Sequence, residues 1–293
     1  MPIQAKIIED SLSEDGFRLT TFQITLPKAL LAELNTHRAL SKNAASSRAI
    51  PSAKFNQLES WYPLRWGKNQ SGMQASQDNL EGDALEKAQK IWQDCIDYCK
   101  SASQQLAELG LHKQWANRMN DWHVLVDDII TGTDWDNFFN LRIHQAAQPE
   151  MDYLATQMKQ LLTNNKPKLL EVGEWHLPFV TEEERKVLPL KDQLVVSTAR
   201  CCRVSYNNHG GTLSTLEQDY GTYEKLGLHQ NVEPKHASPC EHQATPDFLR
   251  AVSDGKFSRK KWDCAEYHGN FNGWCQHRKI IEYKTLDEFT DAY

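Results

Sequence analysis

The sequence predicts an α/β (α+β) chain, a sheet flanked by long helices, and three observations predict it. Leu19–Leu26 (LTTFQITL) alternates and is β-branched, as a half-buried strand is. From Asp83 to Leu109 the residues Leu85, Ala88, Trp92, Cys95, Cys99, Ala102 and Leu106 recur at helical spacing, marking a long amphipathic helix with its cysteines in the core. Hydrophobic content of 40%, with nine Trp, nine Tyr and ten Phe in 293 residues, is ample for a core and argues against disorder.

Taken in order, the strand is followed by Pro27, which opens a helix at a favoured early position, with Lys28 to Arg38 continuing it. Residues 51–80 are irregular; their Gly67-Lys68-Asn69-Gln70-Ser71-Gly72 run is a solvated loop rather than a Walker loop, because the lysine follows the first glycine. After the long helix, a second is expected over His112 to Ile130, and a third from near Asp134. Gln148-Pro149-Glu150 opens another, with Pro near N1 and an acid in the first turn, running to about Leu162. Residues 164–198, rich in Pro, Lys and Glu, read as a surface connection. Leu194-Val195-Val196-Ser197 begins a second ordered block, with a helix from about Thr215 to Leu226 and a polar, aromatic tail from Asp254. One domain is expected over 1–293: strand, helix and cassette in 1–50, a helical part in 83–163, and a further block in 194–246.

Composition excludes several classes. No apolar run approaches the roughly 20 residues of a membrane helix, and Met1-Pro2-Ile3-Gln4 does not open a signal peptide, so a cytoplasmic location is expected. A net charge of −6 argues against polymeric nucleic acid as a partner. Seven cysteines show no paired framework and read as free thiols. His236-x3-Cys240-x-His242 lacks a second ligand pair at standard spacing, so no metal is expected. The absence of Gly-x-Gly-x-x-Gly leaves no Rossmann dinucleotide site.

The most informative stretch is 35–51. Between Glu33 and Glu59 there is no acidic residue, yet Arg38, Lys42, Arg48 and Lys54 stand there among His37, Ser41, Asn43, Ser46 and Ser47. Arginine forks beside short hydroxyls suit a phosphorylated small molecule; a solvated loop after a helix is the plain alternative.

This cassette resembles the signature of the flavin-dependent thymidylate synthases, in which an Arg-His-Arg triplet is followed at fixed steps by Ser, Asn-Glu, Ser and Arg-Tyr. His37, Arg38, Ser41, Asn43, Ser46 and Arg48 stand at matching steps, and Glu33 falls where the family has a glutamine. Thr36 replaces the first Arg, Ala44 the Glu and Ala49 the Tyr. Asn137-Phe138-Phe139-Asn140-Leu141-Arg142 with Ala147-Gln148-Pro149-Glu150 matches a second family block. Arg203-Val204-Ser205-Tyr206 and His236-Ala237-Ser238-Pro239-Cys240-Glu241-His242 match blocks that come first in the family and last here, the mark of a circular permutation. Trp274-Cys275-Gln276-His277-Arg278 echoes the triplet, as a relic of the rotation or as an ordinary amphipathic segment.

The resemblance implies a permuted thymidylate synthase-like fold, with mixed sheets flanked by helices and active sites between subunits of a homotetramer. It also implies one-carbon transfer from methylenetetrahydrofolate to C5 of dUMP, with FAD as hydride donor and NADPH as its reductant. Arg48 and Ser46 would hold the nucleotide phosphate, with Arg118 a weaker candidate, and Arg142 would sit at the uracil carbonyl. His37, Arg38, Ser41, Asn43, Asn137, Ser205, His236 and Ser238 would line the flavin; Arg142, Ser46 and His236 are the catalytic candidates. No cysteine stands in a matched catalytic position. The departures leave open a dUMP or dCMP 5-hydroxymethylase, since Glu33 accepts from a cytosine amino group more readily than it faces a uracil carbonyl. A flavin- or nucleotide-binding protein without turnover is a further alternative. Either a bacterial or a phage genome would suit such a chain.

Overall fold

The computed structural model describes residues 2–204, 212–228, 235–253 and 258–283. In chain order the strands are β1 (Gln4–Ser13), β2 (Arg18–Pro27), β3 (Ser41–Ala44), β4 (Leu125–Gly132), β5 (Lys168–Leu170), β6 (Ala244–Pro246), β7 (Leu249–Ser253), β8 (Ser258–Trp262) and β9 (Trp274–Gln276). The helices are α1 (Leu31–Leu34), α2 (Ser52–Phe55), α3 (Gly82–Glu108), α4 (Lys113–Ala116), α5 (Asp136–Arg142), α6 (Pro149–Asn164), α7 (Glu182–Val187), α8 (Leu190–Cys202), α9 (Leu216–Lys225) and α10 (His277–Tyr283).

A five-stranded mixed sheet in the order β3-β4-β2-β1-β5 forms the centre, antiparallel except where β5 runs parallel to β1. Two further pairs, β6 with β9 and β7 with β8, make up the C-terminal part. The core is the face where Phe22, Ile24 and Leu26 of β2 and Val126 and Ile130 of β4 meet Met151, Leu154, Ala155 and Met158 of α6. That spacing of three, one and three residues is one stripe of a helix, and each fully buried Leu or Met contributes roughly 1.5–3 kcal/mol.

The strand read at 19–26 and the helices read at 83–109, 148–162 and 215–226 are present within a residue or two at each end. Four expectations are corrected. The helix from Pro27 to Arg38 is only a 3₁₀ turn at Lys28–Leu30 and the single turn of α1; Pro27 itself pairs with Leu125 as the last residue of β2. The helix expected over 112–130 stops at Ala116, and 125–132 is β4, because Val126, Ile129, Ile130 and Thr131 are β-branched residues in a central, doubly paired strand. Segment 164–198 is no surface connection: Trp175 to Val180 are buried, and most of α8 lies within it. Cys95 on α3 is exposed rather than core. The strand β1 escaped notice because its sequence, QAKIIEDSLS, is largely polar; its register is fixed by the Arg18 guanidinium, which donates to Asp10 at 2.9 and 2.5 Å.

The C-terminal part is seated on the sheet through an unusually tight approach. Gly273 has φ +80, and a Cβ there would stand 2.9 Å from the rings of Phe17 and Trp262, so the left-handed backbone and the close contact both require glycine. The next residue, Trp274, is fully buried and donates from Nε1 to the Phe17 carbonyl at 3.2 Å.

A buried polar line crosses the sheet. Ser11 Oγ bonds His176 Nδ1 at 2.9 Å, His176 Nε2 bonds Thr21 Oγ1 at 2.8 Å, Thr21 bonds Thr131 at 2.7 Å, and Thr131 bonds His242 Nδ1 at 2.8 Å. Burial drives His176 well below the ordinary imidazole range and brings His242 to about 3; His277, also fully buried, is brought to about 3. These rings are neutral in the native state, while the unfolded chain takes up protons below about pH 6.5. Stability is therefore held above that pH and lost as pH falls, at about 1.4 kcal/mol per pH unit for each histidine. Thermal melts are expected to show the midpoint falling steeply between pH 6.5 and 4.5; a midpoint that stays level over that range would contradict the neutral relay.

Candidate functional site

The basic cassette is not a solvated loop. Its middle, Ser41–Ala44, is the edge strand β3, paired with β4 from Ser41 opposite Thr131 to Ala44 opposite Asp128. Ser41, at the start of the strand, is buried beside the relay, while Arg38, Ser46 and Arg48, which flank the strand, are exposed. The turn after β3 is pinned from behind: Asn117 Nδ2 donates to the carbonyls of Ser47 and Ile50 at 2.8 and 3.0 Å, and Lys113 Nζ to that of Ala49 at 2.8 Å. Among the described residues neither Arg38 nor Arg48 has an ion-pair or side-chain hydrogen-bond partner.

Arg142, at the C-terminal end of α5, joins the cassette to the second block. Its Nε donates to His37 Nε2 at 2.9 Å, Nη1 to Glu33 Oε2 at 3.0 Å, and Nη2 to the Glu33 carbonyl at 3.1 Å and Thr36 Oγ1 at 3.3 Å. Because an arginine N–H can only donate, His37 Nε2 accepts and the ring carries its proton on Nδ1. Burial first, then the cations of Arg142 and Lys42, brings His37 down to about 4, so it is neutral. The same contacts explain the short α1: the Glu33 carbonyl is satisfied by Arg142 and by Thr36 Oγ1 (2.7 Å), not by a further helical turn. Four of the five guanidinium N–H groups are engaged, leaving one on Nη1. Glu33 keeps Oε1 free, and its side chain is 40% exposed.

A second junction closes on Ser41. Asn270 Nδ2 and Gln276 Nε2 reach its hydroxyl at 3.1 and 3.3 Å, and Gln276 also donates to the Glu241 carbonyl at 3.0 Å. Glu241 in turn pairs with Arg278. The cassette thus meets the third block and the 274–278 echo, which is more than an ordinary amphipathic segment. Asn43 Nδ2 donates to the Cys201 carbonyl at 2.8 Å, bringing the end of α8 to the same edge. A groove of about 490 Å³ lies on this side, between Ala45, Ile50, residues 125–127 and Arg203-Val204. Val204 has φ +61, a strained state for a β-branched residue and one that clusters at functional sites.

Other expected site residues stand apart. Arg118 is exposed and pairs with Asp121 at 2.7 Å. Asn137 is exposed on α5, and His236 and Ser238 are exposed at the start of the third block; no described contact joins them to Arg142 or Ser46. Ser205 lies outside the described residues. Residues that the sequence reading passed over include Asn270 and Gln276, whose only signal was the echo around Trp274. Asp128 is another: it is fully buried directly opposite Ala44, so a carboxylate faces the position where the family pattern has one. Adjacent acids in an apolar strand, Asp127-Asp128, were its available signal.

The family profile described as thymidylate synthase complementing protein matches residues 18–168, just over half of the chain. Two solved structures of a UMP/dUMP methylase, PolB from Streptomyces cacaoi, are similar at 16% identity, one bound with 5-Br dUMP and the other with 5-Br UMP. The first aligns with a TM-score of 0.46 over 55% of this chain and 90% of that chain, the second with 0.45 over 55% and 88%. No curated protein matches the sequence.

Burial raises the Asp128 carboxyl to about 7, against partial opposition from the Asn43 and Ile129 amides and Lys42. A raised folded value means that stability is complete below the unfolded value near 3.8 and declines as pH rises towards 7. Asp128→Asn removes that decline. The variant is expected to melt at least about 2 °C above the parent at pH 8 and to lose that advantage at pH 5. An equal difference at both pH values would rule out the buried, proton-bearing state.

Proposed function

The chain belongs to the thymidylate synthase complementing protein family, and from that premise we propose that it transfers a one-carbon unit to C5 of a pyrimidine deoxynucleotide, converting dUMP to dTMP. The observation that carries this reading is the braced Arg142. Its guanidinium is held on Glu33, Thr36 and His37 with one N–H left over, and the cassette it joins carries two exposed cations, Arg38 and Arg48, without partners among the described residues. Arg48 and the Ser46 hydroxyl bind the nucleotide phosphate, where a fork and a neutral donor both gain from a dianion. Arg142 turns its free N–H to the uracil carbonyl and stabilises the negative charge that develops as C5 becomes nucleophilic. Because the fork is already fixed by the protein, little reorganisation opposes that step.

The polar groups left free by the fold fit an anionic, ring-bearing cofactor such as FAD. Arg38, Asn137, His236 and Ser238 are exposed, whereas His37 Nε2, Ser41 Oγ and Asn43 Nδ2 are engaged by Arg142, by Asn270 and Gln276, and by the Cys201 carbonyl. We therefore assign the first group to contact with the cofactor and the second to shaping the pocket. When bound, FAD reduced by NADPH supplies the hydride that turns the transferred methylene of methylenetetrahydrofolate into a methyl. No cysteine nucleophile is invoked: burial pushes Cys240 up to about 12 and Cys201 well above the ordinary thiol range. The rotated order of the blocks belongs to this reading, since residues far apart in the chain meet at Ser41 and Asn43.

Incubation with 5-tritiated dUMP, methylenetetrahydrofolate, FAD and NADPH is expected to release tritium and to yield dTMP by mass analysis. Arg142→Lys should lower turnover about 10²-fold or more, because an ammonium cannot hold three partners in one plane. Bound flavin with no tritium release would overturn the catalytic reading.

One observation favours a second product. Glu33 has a free oxygen beside Arg142, suited to accept from the amino group of cytosine, which points to 5-hydroxymethylation of dCMP or dUMP by water quenching of the same methylene. On this reading Glu33→Gln shifts the kcat/KM ratio of dCMP to dUMP about tenfold or more towards dUMP. An unchanged ratio removes Glu33 from base selection.

The family's subunit arrangement is proposed for this chain as well. Ile91, Tyr98, Leu109 and Trp115 are 64%, 76%, 85% and 59% exposed along and just beyond α3, apolar surface of the kind that subunits cover. Light scattering is expected to give four times the chain mass; a monomer at micromolar concentration would contradict it.

A further inference from the structure

Away from the cassette, the C-terminal part gathers a different set of donors. Asp247 follows β6, His268 follows a 3₁₀ turn at Ala265–Tyr267, and Cys275 lies in β9. A carboxylate oxygen, an imidazole nitrogen and a thiol sulfur from these three lie within 4.8 Å of one another. Asp247 and Cys275 are each 5% exposed. The Cys275 thiol is held in place by the Cys264 carbonyl, to which it donates at 3.9 Å.

The carboxylate is aimed by its surroundings. The Phe248 amide donates to Asp247 Oδ1 at 2.8 Å, and the Cys264 amide reaches Oδ1 and Oδ2 at 3.2 and 3.0 Å. His268 Nε2 meets Oδ2 at 2.8 Å, and its ring packs edge-on against Trp262 at 5.2 Å between centroids. A hydrogen-bonded Asp–His pair needs no metal to exist. It does not, however, account for a buried thiol converging on the same carboxylate and imidazole. One carboxylate, one imidazole and one sulfur, with water in a fourth position, form a borderline-soft set, which suits zinc and not the all-oxygen shells of calcium or magnesium.

We propose that Asp247, His268 and Cys275 form a zinc site that ties β6, β9 and the 265–268 turn together. Zinc–ligand bonds of about 2.0–2.3 Å place tetrahedral ligands roughly 3.3–3.8 Å apart, so the Asp247–His268 contact opens by about half an ångström and the sulfur closes in. Binding displaces the Cys275 thiol proton, as thiolate ligation requires. The backbone amides on Asp247 supply the outer contacts that such a ligand requires. The site also has a position in the larger structure. His268 is two residues from Asn270 and Cys275 is adjacent to Gln276, the two amides that hold Ser41, so zinc fixes the clamp from behind.

The full chain, purified without chelators, is expected to carry about one zinc per chain by elemental analysis. After chelator stripping, Co²⁺ alone is expected to give a thiolate-to-cobalt charge-transfer band and the visible absorption of a tetrahedral site. Cys275→Ser and Asp247→Asn each abolish the band or weaken Co²⁺ binding at least about 100-fold, whereas Cys95→Ser, which removes an exposed thiol of α3, leaves it intact. Should Cys275→Ser fail to fold, the parent spectrum and Asp247→Asn decide. Absence of a cobalt–thiolate band in the parent protein, or a band unchanged in Cys275→Ser, overturns the proposal.

Discussion

Ser11, His176, Thr21, Thr131 and His242 come from five separate stretches of chain and are joined by four hydrogen bonds, all out of contact with water. Polar groups so deeply buried need partners, because an unmet one costs about 1–3 kcal/mol; among the relay's side-chain atoms only His242 Nε2 is without one. The relay therefore allows one relative placement of β1, β2, β4, the 175–180 segment and the block ending at His242. A one-residue slip would turn Phe22, Ile24 and Leu26 away from α6, so apolar packing and the relay specify the same register. What it positions is the far end of β4, where Thr131 stands opposite Ser41, and hence the edge strand on which the cassette is built.

The cassette itself divides into two kinds of residue. Its buried and half-buried members serve the fold: His37 receives Arg142, Ser41 receives two amides, and Asn43 reaches α8. Its exposed members are Arg38 and Arg48, whose guanidinium groups have no partner among the described residues, and Ser46, whose hydroxyl accepts only from the Arg48 amide at 3.3 Å. The division follows each residue's own contacts, since only Ser41 and Asn43 of these six lie in β3. A carboxylate at Ala44 would have pointed toward Asp128 across the ladder, where two buried negative charges repel; with alanine there, a single acid remains, and burial protonates it near neutrality.

Much of this was legible in the amino-acid pattern. The spacing of Leu85 to Leu106 and the proline of Gln148-Pro149-Glu150 announced α3 and α6 because period and capping are local signals. The step-by-step match from His37 to Arg48 and the Asn137–Arg142 block pointed to the two stretches that Arg142 unites. What stayed hidden was non-local. β1 is largely polar and is held as a strand by pairing with β2 and by the Arg18–Asp10 bridge. β4 follows a helical turn and carries two adjacent acids, so its apolar residues read as the end of a helix. Asn270 and Gln276 are ordinary amides in sequence, and their partner lies at the opposite end of the chain.

That distance has a consequence for how the protein is made. Ser41 is separated from Asn270 by 229 residues and from Gln276 by 235. At ribosomal rates of about 5–20 residues per second, the cassette waits roughly 10–50 s after emerging before its closing amides exist. During that interval the chain carries exposed arginines and an unbraced edge strand but no finished pocket. A prematurely terminated chain would hold the signature residues and still lack Asn270 and Gln276. Synthesis of the last segment thus acts as a timer for the clamp on Ser41.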